Sequence, residues 1–144
     1  MTVVRATRDL LAPRADVWAF IAEPYHFSDW WPGVSGVEPD RRGLAPGARW
    51  KLITRPDAGN PLRAFLRPAV AAGTLLVIDV REPELVQFQF VDDRIDAVLR
   101  LDEATPDRTR ATLDVEGAWL RVSRSLPRHA LTRLHNLIQT AASL

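Results

Sequence analysis

Polar and apolar positions alternate with period two over much of the chain, and at two places the period lengthens to that of a helix. Residues 3–11 carry Val4, Ala6 and Leu10 on one parity and Arg5, Thr7 and Asp9 on the other, which predicts a half-buried strand. Pro13 then stands where a helix begins, because its missing N–H costs nothing in a first turn. Val17, Trp18, Phe20 and Ile21 follow as a helical apolar stripe that Pro24 ends. A second short helix is expected around Tyr25–Trp31, closed by Pro32 and Gly33. Residues 34–40 and 48–55 flank the turn sequence RRGLAPG and predict a hairpin. Residues 74–82 and 85–91 are joined by a tight turn at Pro83 and Glu84, and 94–103 and 109–118 by EATPDRT.

The last two strands have the cleanest alternation. Ile95, Ala97, Leu99 and Leu101 share a face with Ala111, Leu113, Val115 and Gly117 across the turn, and the opposite face is mostly charged. One side of such an antiparallel sheet is dry and the other wet. Ser125 can cap a final helix with Pro127 in its first turn, running nearly to Leu144. Leu131, Leu134, Leu137, Ile138 and Ala141 give it a broad apolar face, while Arg128, Arg133, Asn136 and Gln139 mark its wet side. That face needs a partner, and the dry side of the sheet is the large surface on offer. Between Pro56 and Gly73 a stretch bearing Leu62, Phe65 and Leu66 is expected to be a long loop or a short helix.

The predicted order is strand, two helices, six strands and one long helix, and in this the chain resembles the SRPBCC or START-like superfamily, whose members include polyketide cyclase/dehydrase-like proteins. Two local stretches carry the resemblance as well: LLAPRADVWAFIAEP, where Ala-Pro opens a helix, and FSDWWPGVSGVEPD, where an aromatic pair and Pro precede the second strand. The resemblance implies one α+β domain over residues 1–144 with the helix-grip fold. In that fold a seven-stranded curved antiparallel sheet wraps a long C-terminal helix, and two short helices lie between strands 1 and 2. It also implies a cavity between sheet and helix for lipids, polyketides or other apolar molecules.

Composition narrows the function without choosing it. A chain of 144 residues with 47% hydrophobic and 26% charged residues is globular in character. The net charge of +1, with basic residues spread along the chain, gives no argument for nucleic acid. The eighteen arginines and one lysine read as a coding bias. No apolar run reaches the roughly 18 residues of a membrane span, and the N-terminus lacks a signal-peptide core, so a cytoplasmic protein is expected. With no cysteine there is no disulfide, thiolate nucleophile or cysteine-bound metal. No metal and no cofactor is expected, and a homodimer is compatible with the sequence.

Three kinds of residue could carry function. Trp31, Trp50, Phe88 and Phe90 could line an apolar pocket together with Leu99, Leu113, Leu134 and Ile138, or the rings could simply be core. Arg8 shares the inward parity of its strand and must find a partner, a ligand anion or solvent. Asp79 interrupts the run TLLVIDV, where burial would make it a general acid and an ion pair to an arginine would make it structural. His26 lies in the short helix, and His135 lies beside Leu131 and Ile138. His129 and His135 are six residues apart, on different helical faces, and do not make a metal pair. Local catalytic signatures such as HExxH, GxSxG or a phosphate-binding glycine loop are absent.

Three functions remain open on this reading. One is a binder of a hydrophobic small molecule. The second is a cyclase, aromatase or dehydratase using Arg8, Asp79 or His135. The third is an interaction module of the chaperone-activator kind.

Overall fold

A computed structural model describes residues 2–53, 73–119 and 122–142. The chain opens with strand β1 (Thr2–Leu10), followed by helix α1 (Arg14–Ile21), a 3-10 turn (Pro24–His26) and helix α2 (Phe27–Trp30). Strands β2 (Gly36–Pro39), β3 (Arg49–Ile53), β4 (Gly73–Arg81), β5 (Leu85–Phe90), β6 (Ile95–Thr105) and β7 (Arg108–Gly117) come next, and helix α3 (Leu126–Ala142) closes the chain. The expected loop or helix between Pro56 and Gly73, with Leu62, Phe65 and Leu66, falls outside the described residues except for Gly73 itself.

All strands pair antiparallel in the order β1-β7-β6-β5-β4-β3-β2. Every neighbouring pair is consecutive in sequence except the pair that joins the two ends of the chain, where Thr2 faces Gly117 and Leu10 faces Thr109. Both α1 and α2 therefore lie on the crossing from one sheet edge to the other. Buried Thr109 donates its hydroxyl to Ala12 O at 2.9 Å, tying the start of β7 to the entrance of α1. This is the α+β helix-grip architecture: a curved seven-stranded sheet, two short helices between β1 and β2, and a long helix gripped by the concave face.

The dry face is the one the alternation marks. Ala97, Leu99, Leu101, Ala111, Leu113 and Val115 are buried, and α3 sets Leu126, Ala130, Leu131, Leu134 and Ile138 against the core. The wet face holds cross-strand charge pairs, among them Arg5, which donates to both carboxylate oxygens of Asp114 at 2.6 and 3.0 Å. Three local readings need correction. Strands β6 and β7 run on to Thr105 and Arg108, past the expected 103 and 109, because a bulge between Glu103 and Thr105 lets the ladder continue. The single short helix expected over Tyr25–Trp31 is split into the 3-10 turn and α2. Ala141, assigned by spacing to the apolar face of α3, is exposed, since the buried stripe ends at Ile138.

The β2–β3 loop is built around Asp40. Its carboxylate accepts from the backbone N–H groups of Arg42 and Arg49, each at 2.9 Å, and these bonds, led by that from Arg49, hold its carboxyl below the usual range. The same loop offers Gly43 O to the indole N–H of Trp50 at 2.9 Å, so Trp50 can be buried with its polar atom satisfied.

Candidate functional site

The aromatic residues converge at one end of the space between sheet and α3. Phe27, Trp30 and Trp31 sit at i, i+3 and i+4, so the single turn of α2 and the Trp31 that caps it bury all three rings. Strand β3 contributes Trp50 and β5 contributes Phe88 and Phe90, two residues apart and hence on one face. Phe27 is the hub. Its ring centroid lies 5.4 Å from those of Trp30, Trp31 and Phe88, 5.8 Å from Trp50 and 6.3 Å from Phe90. Trp31 also lies 5.1 Å from Phe90, and Trp50 lies 5.9 Å from Phe88. Mixed stacked and edge-on angles are the arrangement that ring quadrupoles favour.

The four aromatic residues singled out from sequence, Trp31, Trp50, Phe88 and Phe90, thus meet in one cluster. Leu99 and Leu113 face each other across β6 and β7 on the same concave face, and Leu134 and Ile138 approach from α3. All eight are buried. Phe27 was not among them, although its spacing to Trp30 and Trp31 is the signal that finds it.

The cluster is apolar with one exception. The indole Nε1–H groups of Trp30 and Trp31 are both buried and have no hydrogen-bond partner among the described residues. A buried donor left unpaired costs about 1–3 kcal/mol. Two such donors stand on adjacent residues, and among the described residues the cluster supplies no acceptor for either.

The ionisable candidates are not brought together. Arg8 is half-buried on the inward parity of β1 and its Nη1 donates to Thr132 Oγ1 of α3 at 3.4 Å. His135 stands one helical turn further along α3, half-buried, with Nδ1 3.3 Å from Asn136 Oδ1. Asp79 is elsewhere. The register of β4 shifts between Val77 and Asp79, so that Val80 packs on the core and Asp79 lies opposite Gln87 on the convex side. There its Oδ2 accepts from Arg81 Nε at 3.1 Å. His26 donates its Nδ1–H to Phe20 O at 2.7 Å and stacks on the Phe20 ring, with centroids 4.1 Å apart, which fixes it as a bracket between α1 and the 3-10 turn. Among the described residues no group of three His, Asp or Glu could hold a metal ion, and no helix is long and apolar enough to cross a membrane.

A concavity lies outside the core. Arg5, Ala6 and Thr7 of β1 and Arg124, Ser125 and Arg128 at the start of α3 line a groove of about 450 Å3 where the helix meets the sheet edge.

No family model and no curated protein matches the chain. Solved structures do. A protein of Nitrosomonas europaea superposes with a TM-score of 0.71 at 17% identity, over 96% of this chain and 95% of its own. The XoxI protein of Bacillus cereus does so with a TM-score of 0.71 at 9% identity, over 99% of each chain. Norcoclaurine synthase from Thalictrum flavum, solved in complex with dopamine and hydroxybenzaldehyde, superposes with a TM-score of 0.64 at 13% identity, over 96% of this chain and 87% of its own. At these identities the likeness establishes the helix-grip-like fold, and the fold alone.

Proposed function

We propose that this chain, as a member of the SRPBCC or START-like superfamily, binds a hydrophobic small molecule of aromatic, polyketide or lipid type between the concave face and α3. The observation that carries the reading is the pair of buried indole N–H groups of Trp30 and Trp31, which have no partner among the described residues, in an otherwise apolar aromatic cluster. Apolar walls with a small number of placed polar groups are what ligand pockets are made of. A flat, mostly apolar ligand carrying a carbonyl or ether oxygen would satisfy both demands. The like-folded norcoclaurine synthase holds dopamine and hydroxybenzaldehyde, both small aromatic molecules, which supports the same ligand class here.

An enzymatic reading of this site draws on the strip of α3 that carries Thr132 and His135, since Arg8 reaches it from β1. It gains no general acid from Asp79, whose carboxylate is paired on the opposite face of the sheet.

The test is native mass spectrometry of freshly purified protein, organic extraction of what accompanies it, and titration of tryptophan fluorescence with the extract and with aromatic probes. The expected result is a retained or added apolar molecule that perturbs the fluorescence. Its affinity should fall about 3–10-fold in Trp31→Phe, the worth of one neutral hydrogen bond. Fluorescence that stays unchanged with every molecule shown to bind would place the ligand elsewhere and overturn the proposal.

A further inference from the structure

The groove between β1 and α3 has no part in the aromatic cluster, and its chemistry is different. Three guanidinium groups line it, from Arg5, Arg124 and Arg128, together with the hydroxyls of Thr7 and Ser125 and the methyl of Ala6, and among the described residues no carboxylate lines it. Arg5 is committed to Asp114 through two bonds of 2.6 and 3.0 Å. Arg124 and Arg128 form no ion pair and no side-chain hydrogen bond with the described residues. Thr7 Oγ1 lies 3.4 Å from Thr112 Oγ1, and Ser125 Oγ lies 3.0 Å from Ser123 Oγ, so each hydroxyl retains capacity for a further bond.

The arginines carry this site, and the helix end adds little. Pro127 has no N–H to offer, and the N–H groups of Leu126 and His129 are already given to Ser123 O at 3.2 Å and Ser125 O at 2.9 Å. What remains is a concave surface on which like charges are gathered from two elements more than a hundred residues apart in sequence. Asp114 compensates Arg5, so the uncompensated charges are those of Arg124 and Arg128, and bringing such cations together is unfavourable on its own. The planar fork of arginine suits oxyanions with several acceptor oxygens, phosphate above all.

We propose that this groove is a binding site for a phosphate group, held by Arg124 and Arg128 and buttressed by Arg5 from the sheet edge. The phosphate belongs either to a free phosphorylated small molecule or to a phospholipid headgroup, and the recognition chemistry is shared. This site is independent of the proposed apolar ligand, and neither requires the other.

The experiment is a backbone amide NMR titration with inorganic phosphate at constant ionic strength, with chloride making up the difference. It is run on the wild type, on Arg124→Gln/Arg128→Gln, and on Arg100→Gln, whose exposed arginine stands on β6 and does not line the groove. A parallel arm measures cosedimentation with vesicles of phosphatidylcholine with and without phosphatidic acid. Saturable shifts at residues 5–7 and 124–128 are expected in the wild type and in Arg100→Gln. Each guanidinium removed should weaken binding about tenfold. Saturable phosphate shifts without vesicle binding identify a free phosphorylated molecule. Vesicle binding that needs both phosphatidic acid and the two arginines identifies a headgroup. Shifts and sedimentation that persist unchanged in the double variant, or that fail to occur in the wild type, overturn the proposal.

Discussion

Phe27→Ala removes the hub of the aromatic cluster and should be among the most damaging single changes in the chain. The ring is 2% exposed and lies within 6.3 Å, centroid to centroid, of five other rings. Burial and cavity terms for Phe→Ala come to about 3–5 kcal/mol. Each aromatic pair adds about 0.5–1.5 kcal/mol beyond burial, but five pairs sharing one ring do not add independently. The expected loss is therefore at the upper end, about 5 kcal/mol, which is a third or more of the stability of an ordinary domain. At about 3 °C per kcal/mol for a chain of this length, the midpoint should fall by about 15 °C. Phe27→Leu keeps most of the buried volume and loses mainly the ring contacts, so about 2 kcal/mol is expected.

The assay is urea unfolding followed by tryptophan fluorescence, with thermal melts alongside. Three of the neighbouring rings are tryptophans, so both variants should also alter the native emission spectrum. Benzene should raise the midpoint of Phe27→Ala more than that of the wild type, since a ring-shaped apolar gap takes up a ring-shaped guest. A loss below about 1 kcal/mol for Phe27→Ala would refute the packing argument. It would mean that these rings surround an already accessible space rather than each other.

Gly73 holds φ +94°, and a Cβ there would overlap the Asp92 carboxylate that accepts the Thr74 N–H at 2.8 Å. Gly73→Ala should cost about 2–4 kcal/mol in urea unfolding, from backbone strain plus a lost charge-assisted bond. Thr109→Val removes the hydroxyl that Ala12 O accepts and leaves that carbonyl unpaired, so about 1–2 kcal/mol should be lost by the same measurement. Asp96 lies directly opposite Glu116, and its carboxyl is raised by partial burial first and by Glu116 second. A raised carboxyl lets the native state hold its proton longer than the unfolded chain, so stability falls as pH rises above the unfolded value of about 3.9. Asp96→Asn should thus stabilise the protein by about 0.5 kcal/mol at pH 7, and the gain should vanish in melts taken below about pH 4.

How far the sequence could be read depended on whether the deciding contacts were local. The alternation of β6 and β7 and the stripe of α3 were legible because one buried face imposes its period on the residues themselves. The position of Asp79 was not. The run TLLVIDV is apolar on both parities, so nothing in it marks the bulge that leaves Ile78 exposed and turns Asp79 to the convex side. Phe27 was legible in principle, through its i+3 and i+4 spacing to Trp30 and Trp31, but the same residues also read as ordinary helix packing. The arginine groove could not have been foreseen. Arg5 and Arg128 meet only because β7 pairs with β1 and carries the start of α3 to that edge.

The edge strand β1 explains why both candidate sites border on α3. A nine-residue edge strand exposes a ladder of unpaired backbone groups, and such edges must be covered or made unattractive to other strands. The other edge, β2, is only four residues long and ends in Pro39, which limits it as a pairing template. The long edge is instead flanked by α3, which packs along β1 and reaches α2. One helix therefore guards the edge, covers the concave face and borders the arginine groove. A phosphate bound by Arg124 and Arg128 beside Arg5 would bridge helix and strand, and by mass action it would stabilise their docked state by about 2.7 kcal/mol at a hundredfold excess over its dissociation constant. An apolar ligand beneath α3, as proposed above, would act on the same docked state from the inside. Occupancy of the groove should then raise the stability of the β1–α3 contact, whereas the hairpins β2–β3 and β4–β5, which do not touch it, should gain only what global stability confers.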